Sequence, residues 1–441
     1  GSVSRRLTLL VLAAAAAAWS AYLWLELIDA RQGGEAFCAF GGGCDALWDG
    51  AFASWIQRVT GLPVAAWGVV WGGAALLVTA LRSFRDRDDK VSMALRTASL
   101  VIASAGIASL GVLVAASVAA NALCGSCIVT YIFVLAWVVV ALFDFVRDRR
   151  KTPGSSYVHG TALAAGATAA VFLMLLIPGR NTPMSTSALA DASFTAVSGD
   201  VLGEASDATS NDPERDQQLI QFLASLELEA AQLVSRSLEV MRTATPVPVE
   251  PPRALLYEDD APVRITTFTD ARCSHCAGLH RDLDVIRGLP GGANFSLEAR
   301  HYPLDGNCNA NLQAHGSEES ASCTAARAEI CAESLDDATR GQLVGAIYAK
   351  QQGLVPADVM QIASPVVTNL ESCLAAPATA AILLDDIAWA TRHDIRGTPM
   401  VLINGRKGTA FGPFLYAMVL AGGDLDHRAF AMLPDPPPAE G

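Results

Sequence analysis

Five stretches of mainly apolar residues dominate the first 180 positions of the chain. Each is about 20 residues long, which is the length that an α-helix needs to cross the hydrocarbon core of a bilayer. They cover residues 7–28, 64–81, 97–123, 128–146 and 160–178. The pattern predicts an all-α bundle of five transmembrane helices over residues 1–179. Trp19, Tyr22 and Trp24 are typical of an interfacial aromatic belt, which favours a retained first helix over a cleaved secretion signal.

The pattern changes after residue 178. Residues 180–255 are rich in Ser, Thr, Asp and Ala and predict a linker, with a helix near 212–243 where Leu219, Phe222 and Leu223 recur at helical spacing. From residue 256 to 441, strand and helix patterns alternate. A β-rich run at 263–268 is followed by a Cys-x-x-Cys segment and a helical pattern, which predicts a soluble α/β domain.

Basic residues lie at every second boundary of the five apolar stretches. They are Arg5, Arg6, Arg82, Arg85, Arg87, Lys90, Arg96, Arg147, Arg149, Arg150 and Lys151. By the positive-inside rule, the N-terminus and the 82–96 and 147–159 loops are cytoplasmic, and everything after residue 178 is extracytoplasmic. All ten cysteines then lie on the outer side, where disulfides persist. We therefore expect a membrane protein whose C-terminal domain lies outside the cytoplasm.

Composition agrees with a chain that contacts the lipid bilayer. Hydrophobic residues make up 52% and charged residues 17%, and the mean hydropathy is +0.34. The formal net charge of -13 repels a phosphate backbone, so we expect no nucleic-acid partner. A zinc half-site is the ordinary alternative for a Cys-x-x-Cys, but no other Cys or His residues have matching spacing, so we expect no metal.

Three cysteine pairs are candidate redox centres. Cys273 and Cys276 stand at a strand-to-helix corner, where amide donors, the helix dipole and the neighbouring His275 favour a thiolate at Cys273. Cys38 and Cys44 flank a Gly-rich loop, and Cys124 and Cys127 lie at a membrane surface, with Cys127 expected to begin the fourth helix. The alternative for the last two pairs is a static disulfide that clamps the loop.

Residues 256–425 resemble a DsbA-type thioredoxin-fold domain with a helical insertion. In that family Cys273 and Cys276 match the active pair, and Thr398-Pro399 matches a turn that carries a cis-proline beside it. The region that resembles the insertion holds four further cysteines, which allow three pairings. We favour two structural bridges, Cys308–Cys323 and Cys331–Cys373.

Residues 7–178 resemble the vitamin K epoxide reductase family, whose bacterial members are often fused to a thioredoxin-like domain. The resemblance rests on Phe37-Cys38, Cys44-Asp45, Ala53-Ser54-Trp55, Gly61-Leu62-Pro63, Trp67-Gly68 and Cys124-x-x-Cys127-Ile-Val-Thr130-Tyr131. It implies a protein of the bacterial inner (plasma) membrane with a periplasmic thioredoxin-like domain. It also implies a disulfide relay that ends at a buried quinone, ubiquinone or menaquinone. Tyr131 would hydrogen-bond the quinone and Trp67 would stack on it. Ser54 is the family's loop serine when counted back from Gly61, whereas counting forward from Cys44 leads to Gly50, which indicates a short insertion.

The sequence thus predicts an oxidoreductase that forms disulfides in reduced exported proteins. Electrons pass from Cys273/Cys276 to Cys38/Cys44, then to Cys124/Cys127 and to quinone. One alternative is a membrane-tethered isomerase or reductase, which needs an electron source on the cytoplasmic side. Another is a client-binding chaperone with a non-catalytic membrane anchor, and reduction of vitamin K epoxide by the same thiols is a third.

Overall fold

The computed structural model describes residues 2–31, 44–84, 90–119, 124–148, 155–200, 213–249, 251–257, 260–313 and 320–436. They divide into two compact units, residues 1–188 and residues 189–441. The first unit is built from α-helices, and the second combines a mixed sheet with helices. The chain is therefore a multi-domain protein in which an all-α bundle is followed by an α/β domain, as its sequence predicts.

The first unit contains seven described helices before the boundary region. They are α1 Ser2–Arg31, α2 Cys44–Trp48, α3 Ala51–Thr60, α4 Val64–Ser83, α5 Lys90–Ala119, α6 Gly125–Asp148 and α7 Ser155–Arg180. Five of these, α1, α4, α5, α6 and α7, are long and apolar enough to cross a membrane. Helix α5 begins at Lys90, earlier than the apolar stretch, because polar residues continue the helical hydrogen bonding beyond the apolar run.

The bundle is held by close helix packing. Helix α1 packs against α4 and α6, and α7 packs against α4 and α5. A Cβ atom at Gly72 would lie only 2.8 Å from the backbone nitrogen of Ala17, and one at Gly68 would meet the Ser20 hydroxyl. Small residues let the backbones of α4 and α1 approach, which is how apolar helices gain packing energy when lipid supplies no hydrophobic driving force. Trp137 is fully buried among the helices.

The second unit is organised around a five-stranded sheet with strand order β1-β3-β2-β4-β5. The strands are β1 Leu256–Tyr257, β2 Val263–Thr269, β3 Phe295–His301, β4 Met400–Ile403 and β5 Arg406–Gly408. Strands β2 and β3 are parallel, whereas β1 pairs with β3, and β4 with β2 and β5, in antiparallel fashion. Ile265, Phe268 and Phe295 are fully buried, so the central strands carry apolar residues on both faces.

Ten helices surround this sheet or lead to it. They are α8 Thr186–Asp200, α9 Pro213–Ser225, α10 Leu228–Thr243, α11 Ser274–Gly288, α12 Ala321–Cys331, α13 Asp337–Ala349, α14 Pro356–Ala363, α15 Leu370–Leu374, α16 Pro377–Arg392 and α17 Gly412–Leu420, with a short 3-10 helix at Arg428–Met432. Helices α12 to α15 form their own apolar cluster between β3 and α16 in the chain, which is the helical insertion expected from sequence.

The segment 180–255, expected to be a linker, is helical over much of its described length. Its region near 212–243 forms two helices, α9 and α10, rather than one. They pack on the second unit through buried apolar side chains, and the ring centroids of Phe222 and Tyr416 lie 4.7 Å apart. The connector after α10 is also anchored, since Arg253 forms ion pairs with Glu333 and Asp386 at 2.7 and 2.8 Å.

Candidate active site: two Cys-x-x-Cys corners

Cys273 occupies the position that caps helix α11. Its backbone nitrogen donates to the carbonyl of Asp270 at 3.1 Å, which closes the turn after strand β2. The Cys276 amide donates to the Cys273 sulfur at 3.2 Å. The structure therefore directs an otherwise unpaired amide of the helix N-terminus at this sulfur, as the corner position predicts.

The two thiols of this corner differ in their acid strength. Hydrogen bonding from the Cys276 side chain lowers the pKa of Cys273 most, and the Thr398 hydroxyl and the Cys276 amide lower it further, while burial opposes them. Burial raises the pKa of Cys276, and the neighbouring Cys273 raises it again. Cys273 is 8% exposed and Cys276 is 0% exposed. Cys273 is thus the accessible, thiolate-forming member, and Cys276 keeps its proton.

The turn before strand β4 completes this site. The Thr398–Pro399 peptide bond is cis, in agreement with the expected DsbA-type turn. The Thr398 hydroxyl is buried near both sulfurs, and it lowers the pKa of each. The sequence motif predicted the turn, but only the fold places this hydroxyl beside residues more than a hundred positions away.

Replacing Thr398 with valine is expected to slow the reaction of Cys273 with iodoacetamide at pH 6 by about fivefold, because the nearby hydroxyl that lowers the pKa of Cys273 is lost, an effect of about 1 kcal/mol. The pKa of Cys273 lies below that of an ordinary cysteine. The alkylation rate of the parent therefore begins to increase with pH at a lower pH than that of an ordinary cysteine, and the curve of rate against pH for Thr398→Val is shifted to higher pH. Thr409→Val, at an exposed position of the same unit, is the matched control. Superimposable profiles for Thr398→Val and the parent would contradict the role of the hydroxyl.

His275 lies on the first turn of α11 and is exposed. The interactions that lower the pKa of Cys273 come first from Cys276 and Thr398. An imidazole in contact with water acts through a screened field, so we expect His275→Ala to change Cys273 reactivity less than Thr398→Val does. Its auxiliary role stays a prediction.

The four remaining cysteines of the second unit form two disulfides. Cys308 is bonded to Cys323 and Cys331 to Cys373, with Cα–Cα distances of 6.0 and 6.1 Å. The first bridge ties the loop after β3 to the start of α12, and the second joins the end of α12 to α15. Both disulfides therefore stabilise the helical insertion, and neither includes a cysteine of the Cys273 corner.

The second Cys-x-x-Cys corner, in the first unit, repeats the geometry of the first. Helix α6 begins at Gly125, so Cys124 precedes it and the Cys127 amide donates to the Cys124 sulfur at 3.3 Å. The expectation that Cys127 begins this helix is therefore wrong, because helical geometry starts two residues earlier and aims the terminal amide at Cys124. The Trp19 indole of α1 donates to the Ser126 carbonyl at 2.9 Å and holds the corner.

The short helix α2 covers this corner. Its first residue, Cys44, is disulfide-bonded and fully buried, and its sulfur lies 2.7 Å from the sulfur of Cys124. Trp48, one turn later on the same face, belongs to the same apolar cluster as Cys127. Cys38 lies outside the described residues. The structure thus brings together three of the four predicted redox cysteines of this unit.

The two candidate quinone contacts lie against different helices. Tyr131 is on α6, four residues after Cys127, and interacts with Ser117 of α5. Trp67 donates to the Thr60 hydroxyl at 3.2 Å and packs against Phe172 of α7. Tyr131 is therefore near the Cys124–Cys127 corner, whereas Trp67 lines an apolar groove between α4, α5 and α7.

Ser54 belongs to a polar cap on the first unit, formed by α2, α3 and residues 181–187 after α7. It is 5% exposed, and its hydroxyl lies 3.4 Å from that of Ser185 and 3.5 Å from the Asp49 carbonyl. The Trp24 indole and Gln57 both bind Thr182, at 2.9 and 3.0 Å. Sequence analysis missed this cap because its parts are more than a hundred residues apart.

A small cleft of about 60 Å³ behind Cys276 was also missed. It lies between the sheet, α11 and the helical insertion, and is lined by Cys276, His301, Glu329 and Tyr348 among others. Burial raises the pKa of Glu329 to about 8 and lowers that of His301 to about 4. Glu329 and His301 lie 3.7 Å apart. The cleft therefore holds a carboxyl group whose protonation changes near neutral pH.

Sequence comparisons cover both units. Residues 7–142 match the sequence model of the vitamin K epoxide reductase family, and residues 255–411 match that of thioredoxin. No curated protein matches the chain.

Solved structures similar to this chain include several DsbA-type proteins. BdbD from Bacillus subtilis (oxidised) is 17% identical, with 42% of this chain and 98% of that one covered and a TM-score of 0.32. DsbA2 from Pseudomonas aeruginosa is 21% identical, with 36% and 86% covered and a TM-score of 0.29. ScsC from Proteus mirabilis is 15% identical, with 48% and 88% covered and a TM-score of 0.30.

The family matches and the geometry of the two corners agree. Each matched region contains one Cys-x-x-Cys whose first sulfur accepts a helix-terminal amide. Among the described residues no group of three or more His, Cys, Asp or Glu side chains is arranged to hold a metal ion. Residues 7–142 form a vitamin K epoxide reductase family domain and residues 255–411 a thioredoxin-like domain, so the chain is a membrane protein of the thiol–disulfide oxidoreductase type.

Proposed function

We propose that this protein oxidises thiols of exported proteins and passes the electrons to a membrane quinone. The observation that carries the proposal is the 2.7 Å contact between the sulfurs of Cys44 and Cys124. It joins a disulfide-bonded loop cysteine to the first cysteine of the Cys-x-x-Cys corner at the start of helix α6. Sulfurs in contact are in position for thiol–disulfide exchange.

Each step of the relay transfers one electron pair. A client dithiol reduces the Cys273–Cys276 disulfide and becomes a disulfide itself. The Cys273 thiolate then attacks the Cys38–Cys44 disulfide, and Cys276 releases Cys273 by re-forming their bond. The Cys44 thiolate next attacks Cys124 of the Cys124–Cys127 disulfide and displaces Cys127. Cys38 then attacks Cys44, which restores the Cys38–Cys44 disulfide and leaves Cys124 and Cys127 as a dithiol, from which the quinone would take the electron pair. Two electrons and two protons leave the client and are carried through the relay.

Proton transfer at the first corner involves the cleft behind Cys276. Cys276 is fully buried and its raised pKa keeps it protonated, so it needs a base when it attacks the mixed disulfide. Glu329 lines the same cleft, and its pKa of about 8 lets it accept or return a proton near neutral pH. We assign Glu329 this role.

The surroundings of the second corner fit a quinone. Trp19, Tyr22, Leu23 and Leu27 form an apolar wall beside the cysteines, and Tyr131 presents a hydroxyl on the same helix as Cys127. A bound quinone supplies the two-electron, two-proton acceptor of the pathway. Tyr131 donates a hydrogen bond to its carbonyl, and the apolar side chains exclude water.

The direct test follows oxidation of a reduced client by the purified full chain in nanodiscs, with and without ubiquinone or menaquinone. Catalytic turnover only with quinone, together with quinol formation at one quinone per disulfide, supports the proposal. Two other outcomes contradict it. Repair of a scrambled disulfide without net oxidation would indicate an isomerase, and client binding without thiol chemistry would indicate a chaperone.

Replacing Tyr131 with phenylalanine is expected to slow quinone reduction about tenfold, which corresponds to about 1.4 kcal/mol of lost stabilisation of developing negative charge. Quinone reduction driven by dithiothreitol is followed by absorbance. Tyr157→Phe, at an exposed tyrosine of α7, is the control. Unchanged quinone turnover in Tyr131→Phe would leave this tyrosine the role of an interfacial anchor.

The extracytoplasmic placement of the second unit rests on the alternating basic clusters. A membrane-impermeant maleimide is expected to label Cys273 in reduced intact cells, whereas a cysteine introduced by Ser83→Cys should be labelled only after permeabilisation. Mass spectrometry of the labelled peptides measures both sites. Labelling of the Ser83→Cys site and protection of Cys273 would invert the topology and place the client side in the cytoplasm.

A further inference from the structure

Arg31, the last residue of α1, has every donor of its guanidinium group occupied. Its side chain is 5% exposed. Nε and Nη2 both donate to Asp49 Oδ1 at 3.1 Å, and Nη2 also donates to the Trp48 carbonyl at 3.1 Å. Nη1 donates to Gln57 Oε1 at 2.8 Å and to the Pro183 carbonyl at 2.6 Å. Five N–H groups thus meet four acceptor atoms on three segments of the cap.

Two of these acceptors fix the end of helix α2. The Trp48 carbonyl belongs to its last residue, and Asp49 follows it directly. The same helix carries Cys44 at its start, in contact with Cys124, and Trp48 against Cys127. Because α2 is only five residues long, its own hydrogen bonds hold it weakly, and its position depends on contacts made from outside.

The other acceptors tie this helix to the body of the unit. Gln57 lies on α3 and Pro183 follows α7. Arginine suits this task because its planar fork offers five donors in fixed directions, whereas lysine has three donors on a flexible stem. Loss of the fork removes hydrogen bonds from the Trp48 carbonyl and Gln57 Oε1, which belong to residues only 7% and 5% exposed, and the cost of their desolvation then favours movement of the cap toward water.

We infer that Arg31 is a positioning residue for the exchange between Cys44 and Cys124. It touches neither sulfur, and it acts by holding α2 at the distance at which the two sulfurs meet. This inference deepens the proposed function and rests on its Cys44-to-Cys124 step. It makes no use of the quinone, the client or the direction of electron flow.

The test measures how strongly the fold favours the bond between these two sulfurs. The full chain with Cys38→Ser and Cys127→Ser retains only Cys44 and Cys124 in the first unit. Equilibration with defined ratios of reduced to oxidised glutathione, followed by mass spectrometry of that disulfide, yields its equilibrium constant. Adding Arg31→Lys is expected to lower this constant at least tenfold, which is about 30 mV for a two-electron couple.

Arg58→Lys is the matched control. Arg58 is an exposed arginine of α3 that donates to the Ala188 carbonyl at 3.3 Å. Its replacement by lysine is expected to leave the equilibrium constant of the Cys44–Cys124 disulfide within twofold of the parent value. If Arg31→Lys fails to fold, Gln57→Ala removes one of the acceptors and should lower the constant about threefold. Gel filtration and thermal unfolding establish that each variant is folded.

The outcomes separate the inference from the proposed function. A parent that forms no Cys44–Cys124 disulfide overturns both. If the parent forms this disulfide and the equilibrium constant of Arg31→Lys, or of its substitute Gln57→Ala, is within twofold of the parent value, the positioning role is overturned and the relay is left intact. An equal loss in Arg58→Lys also overturns the inference, since it would show a general sensitivity of the cap to arginine replacement.

Discussion

Cys127→Ser is expected to abolish quinone reduction by the full chain, with a loss of at least a thousandfold in rate. Cys124 alone can accept the bond from Cys44, but without Cys127 the corner cannot form its own disulfide and release an electron pair. The variant should therefore accumulate the Cys44–Cys124 mixed disulfide, whose sulfurs are already in contact. Dithiothreitol-driven quinone reduction and mass spectrometry of the trapped bond measure the two effects.

The control for this experiment is Cys308→Ser with Cys323→Ser, which removes a pair of sulfurs from the second unit only. Its dithiothreitol-driven quinone reduction should match that of the parent. The assigned order of the two thiols would be reversed by the opposite pattern. In that pattern Cys124→Ser retains quinone turnover, and Cys127→Ser loses only the exchange with the loop cysteines.

Cys273→Ser is expected to abolish client oxidation and to leave dithiothreitol-driven quinone reduction intact. The physical reason is that Cys273 is the more exposed sulfur of its corner and the one with the lowered pKa, so it makes the first bond to a client thiol or to the loop. Refolding of a reduced disulfide protein, followed by its enzymatic activity, measures the first effect. Quinol formation measures the second.

Cys331→Ser with Cys373→Ser is the control for client oxidation, because it removes cysteine sulfurs from the same unit but not from the Cys273 corner. It should oxidise clients at a rate close to the parent at a temperature where it remains folded. Client oxidation by Cys273→Ser at the parental rate would show that clients reach the membrane unit directly and that the thioredoxin-like domain is not the entry point.

Much of the architecture was predictable because its signals are local. Apolar stretches of bilayer length predicted the five long helices, and all five are present. The β-rich run before Cys273 and the Thr398-Pro399 turn likewise predicted the strand, the corner and the cis peptide bond. In each case the physical constraint acts on neighbouring residues, so it can be seen in a short window of sequence.

The errors and omissions share the opposite property. The start of α6 at Gly125 depends on where hydrogen bonding begins, which hydropathy does not report, and so Cys124 rather than Cys127 receives the terminal amide. Glu329 looks like an ordinary polar helix residue in sequence. Its raised pKa results from burial beside the sheet, which only the packing of the insertion produces.

The sequence by itself determined the class of this protein. Its five apolar stretches of bilayer length predict a bundle of membrane helices. Its Cys-x-x-Cys pairs, with their flanking motifs, indicate thiol–disulfide chemistry at the starts of two helices. Tertiary structure decided which groups act on one another: Cys44 on Cys124, Thr398 on both sulfurs of its corner, and Arg31 on the helix that carries Cys44. Hydrophobic period and helix capping are properties of neighbouring residues, whereas a distance between two sulfurs eighty residues apart is set only when the whole unit packs.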